Sequence, residues 1–303
     1  MYDIIVVGGG PAGLTAALYA RRAGKTVAVL EQAAVGGQII NSPLVENYPA
    51  LPHVSGADLA TALLEQVEAL GTEILYEEAV GAARIGGGFR VDTDAGSREC
   101  RALVLALGVR HRSLGLSGEE ALVGRGVSYC AVCDGAFYAA RDVAVVGGGD
   151  TAVQDALFLS NTCKSVTVLV RRDRFRAAAA RAEALKARDN VKILFQHTVE
   201  AFRETDGALS GLVVKNQANG ETTSLSVEGV FLAVGQEPSL GAFASLAETD
   251  AGYLRAGEDT VTSAPGVFAA GDCRKKSVRQ LTTAVADGAV SAIAACEYLE
   301  SHG

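Results

Sequence analysis

Short apolar runs recur along the chain, each ending at a glycine or an acidic residue. Uninterrupted runs of this length indicate strands buried on both faces of a parallel sheet. They lie within residues 3–7, 26–30, 102–107, 230–235 and 266–271. Helical patterns lie at about residues 14–23, 57–70 and 281–299, with weaker strand patterns at 72–75 and 89–92. This alternation predicts an α/β protein.

The first apolar run leads into a glycine-rich turn, Gly8-x-Gly10-x-x-Gly13, which opens a helix. Glycines in this pattern allow a tight turn and a close approach of the backbone to a pyrophosphate, while the helix N-terminus supplies unpaired N–H donors. The next strand ends at Glu31, 23 residues after Gly8. A carboxylate at about this spacing binds a ribose 2′-hydroxyl. Strand, turn, helix and terminal acid together predict a dinucleotide-binding unit.

The same unit recurs 139 residues later, so the chain carries a duplication at domain scale. Residues 3–8 match residues 142–147, and residues 25–30 match residues 164–169. In the second copy the third glycine of the turn is replaced by Ala152, a common variant.

The two copies differ most at the position that reads the ribose. Val170 stands where the first copy has Glu31, and Arg171 and Arg172 follow it. An acid suits a free 2′-hydroxyl, whereas arginines suit a 2′-phosphate through charge-assisted hydrogen bonds. The second unit is therefore predicted to bind NADP(H), and the first a nucleotide with a bare ribose, such as FAD or NAD. A solvated charge cluster is the alternative for the arginines.

Between the two glycine motifs lies Cys130-Ala-Val-Cys133-Asp134. A Cys-x-x-Cys pair is typical of a redox dithiol, half of a zinc site, or two small buried side chains. The remaining cysteines are single and scattered, and the four histidines show no metal spacing, so redox chemistry is favoured and no metal is expected. Asp134 is either a proton donor and acceptor for the thiols or the N-cap of a helix.

Bulk composition excludes several classes of function. A net charge of −8 and a pI near 5.1 argue against a nucleic-acid partner, which requires a basic face. No apolar run reaches the roughly 20 residues that span a bilayer, and the first residues form a strand pattern rather than a secretory signal. We therefore expect a cytoplasmic protein with neither membrane nor nucleic-acid partners, whose disulfide is catalytic rather than structural.

The 303 residues suggest two domains, the second inserted into the first. The first is expected to comprise residues 1–113 and 244–303, and the second residues 114–243. Residues 113–118 and 238–243 are expected to form the two crossings between them.

Together these features resemble the low-molecular-weight thioredoxin reductase family over nearly the whole chain. The resemblance rests on ordered motifs, namely residues 8–13, Gly37-Gln38, residues 45–49, residues 124–134, residues 147–152, residues 171–176, Gly271-Asp272 and Arg279-Gln280. It implies two Rossmann-like three-layer domains, FAD in the discontinuous one and NADPH in the inserted one. It also implies a homodimer that reduces thioredoxin or a thioredoxin-like protein, with an inserted domain that swings about the two crossings.

The resemblance also assigns roles to residues. Cys133 would exchange electrons with the flavin, Cys130 would attack the partner disulfide, and Asp134 would handle protons. The residues implied for FAD are Gly8, Gly10, Pro11, Ala12, Gly13, Glu31, Gln32, Gly37, Gln38, Asn47, Val80, Gly108, Gly271, Asp272, Arg279 and Gln280. The residues implied for NADPH are Gly149, Asp150, Thr151, Arg171, Arg172, Arg176 and Gly235.

Three alternatives to an NADPH-dependent thioredoxin reductase share these motifs. One has another electron donor or acceptor, such as ferredoxin, a glutaredoxin-like protein or a peroxiredoxin; another is a dithiol oxidase; the third is a non-catalytic redox sensor. The chain departs from many relatives at Val170, where they carry a histidine, and at Cys273, which we expect to be a buried thiol.

Overall fold

The structure is a computed structural model, and it describes residues 1–302. Its α-helices are α1 (Pro11–Arg22), α2 (Gly56–Glu68), α3 (Ala131–Asp134), α4 (Asp150–Leu159), α5 (Ala179–Lys186) and α6 (Leu281–Ser301). Its strands are β1 (Tyr2–Val7), β2 (Val27–Leu30), β3 (Glu73–Leu75), β4 (Ala79–Ile85), β5 (Gly88–Thr93), β6 (Gly96–Leu105), β7 (Val109–His111), β8 (Val127–Ser128), β9 (Asp142–Val146), β10 (Ser165–Val170), β11 (Val191–Phe195), β12 (His197–Thr205), β13 (Ala208–Asn216), β14 (Thr222–Leu225), β15 (Gly229–Leu232), β16 (Gln236–Pro238), β17 (Thr249–Asp250), β18 (Tyr253–Leu254) and β19 (Val267–Ala269).

Contacts divide the chain into two compact units. The first contains Met1–Arg110 and the chain from Glu237 onward, and the second contains His111–Gln236.

No helix in the described part of the chain is both long enough and apolar enough to cross a membrane.

The first unit is built on a sheet with the strand order β3-β2-β1-β6-β5-β4, and β19 also pairs with β6. β1 lies between β2 and β6 and runs parallel to both. Ile4 and Val6 pack against apolar residues of α1, α2 and α6, whereas Ile5 and Val7 pack on the opposite face with residues of β5. Because both faces are covered, β1 is apolar at successive positions, as its sequence predicted.

Two close approaches set the geometry at the carboxyl ends of these parallel strands. A Cβ on Gly288 would collide with the carbonyl oxygen of Ala12, so α6 can cross the first turn of α1 only with glycine there. A Cβ on Gly271, just after β19, would lie 2.9 Å from the Ala12 Cβ. The glycine turn after β1 and the Gly271 turn after β19 therefore lie together at the sheet edge where α/β proteins bind their ligands.

The second unit repeats this plan with the strand order β11-β10-β9-β15-β8. One face of its sheet packs on α4 and α5, and the other packs on an antiparallel sheet of β12, β13 and β14. The sequence analysis did not predict that antiparallel sheet. Its strands are short of apolar residues because only one face is buried, through side chains such as Leu212 and Val214, while the other is in solvent.

Both glycine turns begin with a glycine at positive φ. Gly8 and Gly147 have φ of 107° and 152°, and a Cβ on either would collide with a carbonyl oxygen of the neighbouring strand end, Ala106 or Ala233. Glycine is therefore required at both positions. The predicted α/β class, with two dinucleotide-type folds, is confirmed.

Candidate active site

The two cysteines of the Cys-x-x-Cys motif are joined as a disulfide in the second unit. Cys130 is the N-cap of α3, and the backbone N–H of Cys133 donates a hydrogen bond to Cys130 Sγ over 3.2 Å. This donor would stabilise a thiolate on Cys130 once the disulfide is reduced. Cys133 is exposed and Cys130 is half-buried. The bond excludes inert packing for the pair, and residues 1–302 contain no cluster of side chains suited to a metal.

Asp134, the last residue of α3, is half-buried. Burial raises the pKa of its carboxyl, and a hydrogen bond from Ser128 Oγ to Oδ2 over 2.6 Å opposes that rise. A carboxyl with a raised pKa holds its proton closer to neutral pH, as proton transfer to a thiol requires. Asp134 occupies the N-cap position of the turn that follows α3, but its side chain makes no capping hydrogen bond there. Its role in proton transfer stays a prediction.

Ser128 is a site residue that the sequence analysis missed. It is only 3% exposed, and its Oγ accepts a hydrogen bond from the backbone N–H of Cys130 over 3.1 Å while donating to Asp134. The hydroxyl thus links the carboxyl of Asp134 to the backbone of the first cysteine. Its sequence signal, a serine two residues before the dithiol, is too common to be recognised alone.

A buried carboxylate anchors the segment that leads to the dithiol. Glu119 is 5% exposed and accepts hydrogen bonds from the backbone N–H groups of Leu114, Gly115 and Leu116. It also accepts one from the hydroxyl of Tyr129 over 2.8 Å. Burial is the main cause that raises the pKa of the Tyr129 hydroxyl, and the hydrogen bond to Glu119 raises it further. Part of the predicted crossing at residues 113–118 is therefore held within the second unit.

The first glycine turn is tied to the acid at the end of β2. Glu31 accepts hydrogen bonds from the backbone N–H groups of Gly9, over 2.8 Å, and Ala33, over 2.9 Å. Gly10 is the N-cap of α1 and gives it no side-chain cap, and a Cβ on Gly10 would meet its nearest atom, in Gly37, at 4.0 Å. This uncapped helix N-terminus beside a small, open turn suits a pyrophosphate.

In the turn that follows β19, Asp272 has a buried acceptor oxygen, Oδ1, without a hydrogen bond. Its Oδ1 lies 3.7 Å from Lys276 Nζ, outside hydrogen-bond range. Burial raises the pKa of the Asp272 carboxyl, and the charges of Lys276 and Arg279 oppose this rise. Arg279 donates to the Asp272 carbonyl oxygen over 3.3 Å and lies 4.2 Å above the ring of Tyr253. A hydroxyl-bearing ligand chain fits such a buried acceptor, because a buried carboxylate oxygen otherwise lacks a donor.

The other residues predicted for the first unit lie in several places. The side-chain amide of Gln38 donates to the carbonyl oxygen of Val109, beside Gly108, where an added Cβ would meet no atom within 4 Å. Gln280 is the N-cap of α6 and forms a capping box with Thr283. The remaining three are exposed, and their assignment stays a prediction: Gln32, Asn47 and Val80.

In the second unit, the arginine segment is held against the glycine turn. The backbone N–H of Arg176 donates to the carbonyl oxygen of Gly148 over 2.7 Å. The guanidinium groups of Arg171, Arg172 and Arg176 are exposed, and within residues 1–302 none of them pairs with a carboxylate. Val170 is 1% exposed and packs under Gly148, so this position carries no charge. The arrangement leaves cationic groups available for an anion beside the turn.

The remaining residues predicted for the second unit have structural contacts of their own. Asp150 accepts hydrogen bonds from the backbone N–H of Ala178, over 3.1 Å, and from Arg181 Nη1, over 3.3 Å. Gly149 leaves α4 without a side-chain cap, Thr151 is exposed, and the carbonyl oxygen of Gly235 accepts from the N–H of Arg112. Their role toward a nucleotide stays a prediction.

The four cysteines outside the motif are free and buried: Cys100, Cys163, Cys273 and Cys296. Cys273, next to Asp272, is fully buried, and burial raises the pKa of its thiol to about 11. It therefore remains a protonated thiol at neutral pH, as expected.

Comparison with known proteins supports this description. Residues 2–288 match the model of the pyridine nucleotide-disulphide oxidoreductases. A thioredoxin reductase from Listeria innocua is 40% identical over 303 residues, covering 99% of this chain and 94% of the relative. The crystal structure of thioredoxin reductase from Streptococcus pyogenes has a TM-score of 0.95, with 41% identity and 99% of each chain covered. The thioredoxin reductase from Giardia duodenalis has a TM-score of 0.92, with 32% identity and 99% of each chain covered.

These matches extend over almost the whole of this chain. The chain belongs to the thioredoxin reductase family of the pyridine nucleotide-disulphide oxidoreductases.

Proposed function

We propose that the protein reduces the disulfide of thioredoxin or a thioredoxin-like protein, with electrons from NADPH that pass through FAD and the Cys130–Cys133 pair. Membership of the family implies a flavin and a nicotinamide cofactor. The observation that carries the proposal is the disulfide at Cys130 and Cys133, with the half-buried carboxyl of Asp134 next to it.

The first unit has the groups that FAD requires. The uncapped N-terminus of α1 behind Gly10 suits the pyrophosphate, Glu31 suits a free ribose hydroxyl, and Asp272 Oδ1 suits a hydroxyl of the polyol chain. A bound flavin would supply storage for two electrons between the nicotinamide and the disulfide.

The dithiol can then perform thiol–disulfide exchange. Two electrons and two protons convert the Cys130–Cys133 disulfide into two thiols. The Cys130 thiolate attacks one sulfur of the partner disulfide and forms a mixed disulfide, while the partner's other sulfur leaves as a thiolate. Cys133 then attacks Cys130, which reforms the internal disulfide and releases the reduced partner. Asp134, linked to Ser128, holds and returns a proton in these steps.

The arginines of the second unit support NADPH as the donor. Arg171 and Arg172 directly follow β10, and Arg176 is held beside the glycine turn, where they can bind a 2′-phosphate. The buried, uncharged Val170 presents no carboxylate to repel that phosphate.

The test is stepwise reduction of the purified protein under anaerobic conditions. NADPH should bleach the flavin absorbance, and subsequent addition of oxidised thioredoxin should restore it while two thioredoxin thiols appear for each NADPH consumed. Bleaching by reduced ferredoxin but not by NADPH would contradict the proposed donor. Reoxidation by oxygen but not by thioredoxin would favour a dithiol oxidase.

We further propose that the enzyme is a cytoplasmic homodimer, because its dithiol must work in a reducing compartment and the family resemblance implies a dimer. Light scattering coupled to gel filtration tests the dimer, since a mass near 31.1 kDa would indicate a monomer. Fractionation of cells tests the location.

A further inference from the structure

Three consecutive basic residues follow the Gly271 turn, and they do not share one environment. The side chains of Arg274 and Lys276 are 12% and 8% exposed, whereas that of Lys275 is 45% exposed and pairs with Asp250 over 3.2 Å. A solvated run of charge would expose all three side chains. Two of them are instead built into the protein next to Asp272.

The partner of the two buried cations is Asp287 of α6, which is 6% exposed. Arg274 donates to it through Nε and Nη2, each over 2.8 Å, and Lys276 donates through Nζ over 2.9 Å. The backbone N–H of Gly271 also donates to it over 3.0 Å. One carboxylate therefore faces two cations, and the next carboxylate within reach is Asp272.

Lys276 connects these groups. Its ammonium has three N–H donors, and hydrogen bonds account for two of them, to Asp287 Oδ2 and to Thr283 Oγ1 over 3.2 Å. Thr283 belongs to the capping box of α6, which fixes that end of the helix. Lys276 Nζ is thereby held 3.7 Å from Asp272 Oδ1, close enough for attraction but too far to occupy the oxygen with a hydrogen bond.

We propose that Lys276 is a positioning residue for flavin binding: it holds the carboxylate of Asp272 in place as a negatively charged acceptor and leaves Oδ1 for a hydroxyl of the flavin's polyol chain. The inference rests on the proposed function, in which the first unit binds FAD. Asp287, through Arg274 and the N–H of Gly271, is the support that fixes Lys276 and the turn.

The groups that face Asp272 determine its charge. Burial and the neighbouring Asp287 raise the pKa of its carboxyl, while Lys276 and Arg279 lower it. Removal of Lys276 leaves only Arg279 to oppose the rise, so the carboxyl takes up a proton at a higher pH. A protonated carboxyl is a weaker acceptor, and FAD binding should then weaken as the pH falls.

The test uses apo-protein of the full chain, FAD as ligand, and ADP as a competitor that carries the ribose and pyrophosphate but no polyol chain. Lys276→Met should weaken FAD binding about ten- to a hundredfold, the range expected for a lost hydrogen bond to a charged group. ADP should compete with unchanged affinity. Lys276→Arg should restore most of the FAD affinity. Lys275→Met, which removes the same charge at the surface, should change it less than about twofold.

The outcomes separate the two proposals. Wild-type apo-protein that fails to bind FAD would overturn the proposed function. Wild-type binding that Lys276→Met leaves unchanged, or an equal loss of FAD and ADP affinity, would overturn the role of Lys276 alone. Thermal unfolding of each apo-protein checks the fold. If Lys276→Met does not fold, Lys276→Gln, which keeps a donor for Asp287, is measured against the same criteria.

Discussion

The double substitution Arg171→Ala and Arg172→Ala should abolish the preference for NADPH. A charge-assisted hydrogen bond contributes about 1.5–3 kcal/mol, but both guanidinium groups are exposed, and solvent screening reduces exposed pairs to about 1 kcal/mol. Between these limits we take about 2–4 kcal/mol for the pair, or roughly 30- to 700-fold in kcat/KM for NADPH. NADH has no 2′-phosphate, so its kcat/KM should change little.

The assay is anaerobic stopped-flow bleaching of the flavin with each nucleotide. Raised salt should slow the reaction with NADPH more than that with NADH, since the contacts are ionic. The control is Arg188→Ala with Lys192→Ala, which removes two exposed positive charges of the same unit away from the motif. Equal rates with NADPH and NADH in the wild type, or equal losses in both double variants, would show that the arginines act only as general surface charge.

Three further predictions concern the dithiol and the buried charges. Cys130→Ser and Cys133→Ser should each abolish thioredoxin reduction while NADPH still bleaches the flavin, and Cys130→Ser should show a charge-transfer band; a band in Cys133→Ser instead would reverse the two roles. Ser128→Ala should raise the pKa of Asp134 further, because it removes the hydrogen bond from the Ser128 hydroxyl that lowers this pKa. The alkaline limb of the pH–rate profile should then shift to higher pH, and an unchanged profile would show that Ser128 takes no part in proton transfer. Burial raises the pKa of the Asp287 carboxyl, but the hydrogen bonds from Arg274 and Lys276 lower it by more, so the pKa in the folded protein lies below 3.8. The ionised carboxylate therefore stabilises the folded protein fully above pH 3.8, and this stabilisation is lost as the pH falls through the pKa of the folded state. Asp287→Asn should therefore destabilise the protein at neutral pH by about 3–5 kcal/mol, measured by urea unfolding of the apo-protein, and the difference from wild type should shrink below pH 3.8.

The sequence by itself determined the features that depend on neighbours along the chain. Gly8 and Gly147 have a positive φ, which glycine adopts most readily. Ile4–Val7 of β1 are apolar because both faces of the strand are covered there, so both patterns are visible without coordinates. The dithiol and the arginine segment are likewise contiguous. The family resemblance also implied a role for Asp272, but nothing in the sequence indicates that its Oδ1 is buried without a hydrogen bond.

Only the tertiary structure decided how distant polar groups meet. Asp287 reaches Arg274 and Lys276 because α6 folds back across the turn, and in the sequence these residues are an ordinary charge run and an acid inside an alanine-rich helix. Ser128 lies beside Asp134 because β8 ends at Ser128 and α3 begins at Ala131, and the side chain of Asp134 bonds to Ser128 instead of capping the turn that follows it. A side chain's burial and direction are set by elements that pack on it from far along the chain, and a local pattern does not record them.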